Sequence, residues 1–187
     1  GKQLDSLADM VTSGSVPGIV MVQLLNNALV SKDGFYGSWD VENHIFEYPM
    51  LSFIGLAITL ASCYRLANFN VDDRQTDSFI GLPTPANALL VLSLPLILEY
   101  QPVEIFVELF TNMWFLFAFT VLSCFLLNAN LELFALKFKN FKLDGNKTRF
   151  GFLLLCILLI VFLKFIAIPI IMLSYILISF FKKPSHA

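Results

Sequence analysis

FGFLLLCILLIVFLKFIAIPIIMLSYILISFF, residues 150–181, is an apolar run of 32 residues broken by a single charge, Lys164. As one helix it would reach about 48 Å, well beyond a hydrocarbon core of about 30 Å. A lysine near mid-bilayer costs several kcal/mol, whereas at an interface it can snorkel into water. Pro169 follows it closely. Length, charge and proline together favour a tight helical hairpin with short arms that turns around Lys164, the alternative being a single tilted helix.

Four more apolar stretches precede this one, at roughly 10–30, 48–64, 82–98 and 103–127. With the hairpin counted twice, the expectation is an all-α, polytopic membrane helical bundle of about six transmembrane helices, forming a single membrane domain over 1–187. Composition agrees. Of the 187 residues 57% are hydrophobic and 14% charged, against about 25% charged in a soluble domain. The formal net charge of −2 argues against a nucleic-acid partner. With alternating sides, Lys2, Arg65, Arg74, Lys137, Lys139, Lys142, Lys147, Arg149, Lys182 and Lys183 share one side, leaving only Lys32 and Lys164 for the other. The positive-inside rule makes the first side cytoplasmic. It puts loop 31–47, with Asp33, Asp40, Glu42 and Glu47, outside. Cys63, Cys124 and Cys156 stand singly in apolar runs and read as packing residues.

Chemistry-bearing residues gather at the expected cytoplasmic ends of the spans. Gly1, Asp5 and Asp9 are spaced by four, so they stack on one helix face. Two carboxylates a turn apart can hold a hard divalent cation such as Mg²⁺, and a glycine one turn below lets a phosphate approach the backbone. Helix-start acids favoured by the macrodipole share that pattern. The small residues from Thr12 to Gly18 suit close helix packing. Arg65, in Y-R-L-A-N-F-N (64–70), suits either a phosphate or carboxylate ligand or a positive-inside anchor. S-F-I-G-L-P-T-P-A-N-A (78–88) reads as a turned entry into the next helix. The alternating basic and aromatic residues of 134–142 suit an interface with anionic headgroups.

Taken in order, D-S-L-A-D-M-V-T-S-G-S-V-P-G (5–18), R-L-A-N-F-N (65–70) and F-I-G-L-P-T-P-A-N-A (79–88) resemble blocks of the CDP-alcohol phosphatidyltransferases, most closely their bacterial phosphatidylserine synthase branch. That family carries D-x-x-D-G-x-x-A-R followed after a gap by G-x-x-x-D-x-x-x-D, and Gly1, Asp5 and Asp9 match the second half. The resemblance implies transfer of the phosphatidyl group from CDP-diacylglycerol to L-serine, giving phosphatidylserine and CMP. It implies Asp9 as catalytic base, Asp5 and Asp9 as ligands of a divalent cation (Mg²⁺ or Mn²⁺), and Gly1 and Arg65 at the substrate. It also implies a multi-pass protein of a bacterial inner membrane among membrane lipids, with its active site facing the cytoplasm, and it is compatible with a homodimer. Two departures stand out: the first half-signature is absent, and Asn68 takes a place where synthases often carry a basic residue. The expectation is therefore a C-terminal portion lacking upstream helices and inactive by itself. The nearest alternative changes the acceptor to glycerol phosphate or inositol phosphate. A reading of another class, a membrane transporter subunit, would call for ionisable residues in mid-span or repeat symmetry.

Overall fold

The structure is a computed structural model describing residues 2–30, 49–71, 79–130, 132–133 and 147–181. The first helix comprises α1 (Lys2–Asp9), a π turn (Met10–Ser15) and α2 (Val16–Val30) in unbroken succession. A 3-10 segment (Met50–Leu56) leads into α3 (Ala57–Val71). Next come β1 (Phe79–Ile80), α4 (Thr84–Tyr100), α5 (Glu104–Phe110), α6 (Met113–Asn128) and β2 (Glu132–Leu133). The chain closes with α7 (Lys147–Leu163), a 3-10 turn (Lys164–Ile166) and α8 (Ala167–Phe181). Apart from the two-residue strands, which pair antiparallel with Phe79 opposite Leu133, the regular structure of the described residues is helical. The fold is the expected all-α bundle.

The segments run alternately between two ends. Ser6 meets Asn70 at one end of the first two helices, and Gly55 lies against Met21 and Val22 toward the other. The N-terminus of α4 joins the C-terminus of α6 through Leu82 N to Leu126 O at 2.9 Å. The far end of α4 reaches the 3-10 turn, where Gln101 Oε1 accepts from Phe165 N at 2.8 Å and Ile166 N at 3.3 Å.

The hairpin is present. Phe152 and Tyr175 would stand about 35 Å apart along one straight helix, yet their ring centroids are 5.9 Å apart. Lys164 makes the turn in the left-handed region, at φ 50°, and its side chain is exposed. Pro169 falls in the first turn of α8, where its missing N–H breaks no helical bond.

The run 103–127 departs from the single helix expected of it. It is α5 and α6, bent by 71°. Asn112 causes the break: its Oδ1 accepts from Trp114 N at 2.9 Å and Phe115 N at 3.3 Å, starting a new helix with an N-cap. Judged by length and composition, three helical runs among the described residues can cross a membrane (Gln3–Val30, Met50–Val71 and Phe150–Ser179), or four with the bent pair, while Thr84–Tyr100 is a shorter apolar helix. The third of these runs is the hairpin, so its arms are 17 and 15 residues long. The protein is a membrane helical bundle, and six full crossings remain an expectation.

α4 lies between two apolar clusters. On one side Val91, Leu94, Ile97 and Leu98 meet Met21, Leu24 and Leu25 of α2, Ile58 of α3, and Phe110, Leu116 and Leu127. On the other, Leu90 and Leu82 meet Phe152, Met172 and Tyr175 of the hairpin. Burial against α2, α6 and the hairpin together leaves α4 as the axis of the bundle.

Candidate functional site

Asp5 lies in α1 and is exposed; Asp9 ends α1 and is half-buried. One helical turn separates them, as their spacing requires. Ser6, beside Asp5, is buried, and its Oγ donates to Asn70 Oδ1 at 3.1 Å. This bond ties α1 to the end of α3. Gly14 faces Thr59 and Ser62, and Gly55 faces Met21 and Val22, so the two helices are antiparallel over their length. The same register sets Arg65 level with Val11, two positions beyond Asp9 on the first helix.

Arg65 is 8% exposed, and its Nη2 donates to the carbonyl of Gly81 at 3.2 Å. Gly81 has φ 76°, and a Cβ there would lie 2.6 Å from Leu127 O. Only glycine meets both demands, so F-I-G-L can turn tightly against the end of α6. One guanidinium N–H thus holds a loop carbonyl. Beyond the turn, Thr84 and Pro85 open α4, with proline where no helical N–H is required.

Two hydrogen bonds therefore bring three separate sequence blocks to one end: Ser6 to Asn70, and Arg65 to Gly81. The strand pair of 79–80 with 132–133 closes the same end. Asp5, Asp9 and Arg65 all belong to it. Gly1 lies outside the described residues, as do loop 31–47, the basic and aromatic segment 134–142, and Lys182 and Lys183. Among the described residues, no third His, Cys, Asp or Glu joins Asp5 and Asp9 in a group able to hold a metal ion. A cation here would have two side-chain donors among the described residues, both carboxylates. That suits a hard cation which takes its remaining oxygens from water and substrate phosphates.

Reading the sequence did not single out Ser6, Asn70, Thr59, Asn87 or Ser123. Asn87 is fully buried, and its Oδ1 accepts from Ser123 Oγ at 2.6 Å, joining α4 to α6. A polar residue inside an apolar helix wants a partner, and that signal marks Asn87 in P-T-P-A-N-A. Ser6 and Asn70 carry no such signal, because both lie at helix ends where polar residues are ordinary.

No family model, curated protein or solved structure matches the chain.

Proposed function

We propose that the protein is a CDP-alcohol phosphatidyltransferase that moves the phosphatidyl group of CDP-diacylglycerol onto L-serine. The observation carrying this reading is convergence. The first of the three blocks behind the resemblance lies far from the other two in sequence, yet hydrogen bonds link the first to the second and the second to the third at one end of the bundle. Alternation of the segments sets the three blocks at one end, and the two hydrogen bonds fix how they face one another there.

In this reading the exposed end faces the cytoplasm of a bacterial cell, and the six helical segments cross the inner membrane. One substrate then stays in the bilayer while serine and CMP exchange with water. Asp5 and Asp9 would hold the divalent cation, which when bound neutralises the pyrophosphate of CDP-diacylglycerol. Asp9 takes the proton of the serine hydroxyl as its oxygen bonds to the phosphatidyl phosphorus. The bond from that phosphorus to the bridging oxygen breaks, and CMP leaves. Arg65 and Gly1 serve the phosphate-bearing substrate, Arg65 from a fork already oriented by Gly81.

The test is CMP release from CDP-diacylglycerol by the full natural gene product in detergent, with Mg²⁺ or Mn²⁺, with and without serine. Serine-dependent release is expected. Asp9→Asn should lower it by about 10²–10⁴-fold while lipid binding is kept, and Asp5→Asn should raise the metal concentration required. Release with glycerol phosphate or inositol phosphate in place of serine would move the acceptor within the family. Near-normal turnover in Asp9→Asn, or no release with any alcohol, would reject the reading.

A further inference from the structure

The first helix changes its winding at one place, immediately after Asp9. Met10–Ser15 is a π turn between α1 and α2. Such a turn holds one residue more than the α-helical path, so it rotates the segment before it by about 100°. That segment is α1, with Asp5 and Asp9.

Three hydroxyls bind the turn. Thr12 Oγ1 donates to Ala8 O at 2.9 Å, and Ser15 Oγ donates to Met10 O at 3.1 Å. Both bonds are internal to the helix and would rotate with it. The third comes from outside: Thr59 Oγ1 of α3 donates to Gly14 O at 3.1 Å. Space for that approach is kept by Gly18, where a Cβ would run into Thr59 Oγ1. At Gly14 a Cβ would crowd Met10 Sδ at 3.1 Å and Ser62 Cβ at 3.2 Å. Of the three hydroxyls, Thr59 is the one that ties the turn to the rest of the bundle.

We infer that Thr59 is a positioning residue: it pins the π turn at Gly14 and so sets the direction in which Asp5 and Asp9 face. The consequence for catalysis rests on the phosphatidyltransferase reading; the facing of α1 does not. Without Thr59's hydroxyl, the turn loses its external tie and can relax to α-helix. α1 then swings by about a quarter-turn, and Ser6 leaves Asn70.

Ser6 and Asn70 supply the reporter. In a full-length protein with Cys63, Cys124 and Cys156 replaced by alanine, the pair Ser6→Cys and Asn70→Cys should form a disulfide under mild oxidation in membranes. Adding Thr59→Val should slow its formation by about tenfold or more, because a quarter-turn takes the pair out of disulfide reach. Thr59→Ser, which keeps the hydroxyl, should restore it. Gly18→Ala, which pushes that hydroxyl aside, should act like Thr59→Val and supplies the same reading if the valine variant fails to insert. Deleting Val11 removes the extra residue of the turn, so crosslinking should then ignore Thr59→Val. Unchanged crosslinking in both Thr59→Val and Gly18→Ala would overturn the inference. With the native Ser6 and Asn70, Thr59→Val should lower kcat by about 10²-fold and leave KM for CDP-diacylglycerol unaltered. Lost crosslinking with full turnover would overturn the catalytic consequence. Lost crosslinking in a protein whose parent releases no CMP would support the pinning by Thr59 and reject the reaction.

Discussion

The first two helices and the closing hairpin hold their neighbours by different means. In Gln3–Val30 and Met50–Val71 a third of the apolar window is buried; in the closing run the share is 6%. The first pair meets through glycines and hydroxyls. A Cβ on Gly55 would lie 2.5 Å from Val22 N and 2.9 Å from the Met21 carbonyl carbon, so backbone touches backbone. Thr59 and Ser6 add hydrogen bonds between the same helices. The hairpin presents large side chains outward, with Leu154, Ile157, Ile160, Val161 and Phe162 all exposed. Its order comes from a turn, a cap, ring pairs and a small apolar cluster against α4, and Gly151 has nothing within 4 Å. Lipid is as apolar as leucine, so bulk alone does not draw helices together in a membrane. Close backbone approach and hydrogen bonds do. They concentrate where α1 and its two carboxylates must be held.

That contrast can be broken most sharply at Gly55. Gly55→Ala should destabilise the protein by about 2–3 kcal/mol, because the added methyl meets backbone atoms that cannot step aside. Unfolding by denaturing detergent, monitored by circular dichroism, measures it, and a change below the scatter would dissolve the distinction. At Lys164 the demand is on backbone conformation. Lys164→Ile should cost about 1–2 kcal/mol, since a β-branched residue fits φ 50° poorly, whereas Lys164→Gly should be tolerated. Their thermal midpoints in detergent should rank in that order. Gln101→Ala removes the acceptor for Phe165 N and Ile166 N and should cost about 1 kcal/mol. Its effect should fall on the hairpin, as faster amide exchange in α8 than in α2. The smallest effect belongs to Gly151→Ala, in open space on α7. Better helix propensity should stabilise it by up to about 1 kcal/mol. A loss there comparable to Gly55→Ala would mean that the hairpin is as tightly covered as the first pair.

The hairpin was legible because its signals are local. The run of 32 residues is too long for one crossing, and Lys164 marks where water must be met. The α5–α6 bend was hidden, since apolar character continues through 103–127 and Asn112 acts through a single side chain. The carboxylate pair was legible too, as a spacing of four needs only a helix to bring it onto one face.

Composition, span length and the spacing of Asp5 and Asp9 thus determined a membrane helical bundle with two acids a turn apart. Each of these depends on the number of residues along the chain and the polarity of their side chains. The tertiary structure decided which blocks meet and how the first helix is wound. Ser6 finds Asn70, Arg65 finds Gly81, and Thr59 finds the carbonyl of Gly14, across gaps of 64, 16 and 45 positions. A hydrogen bond between helices depends on the rotation and height of both. Neither quantity is written in the sequence of either helix alone.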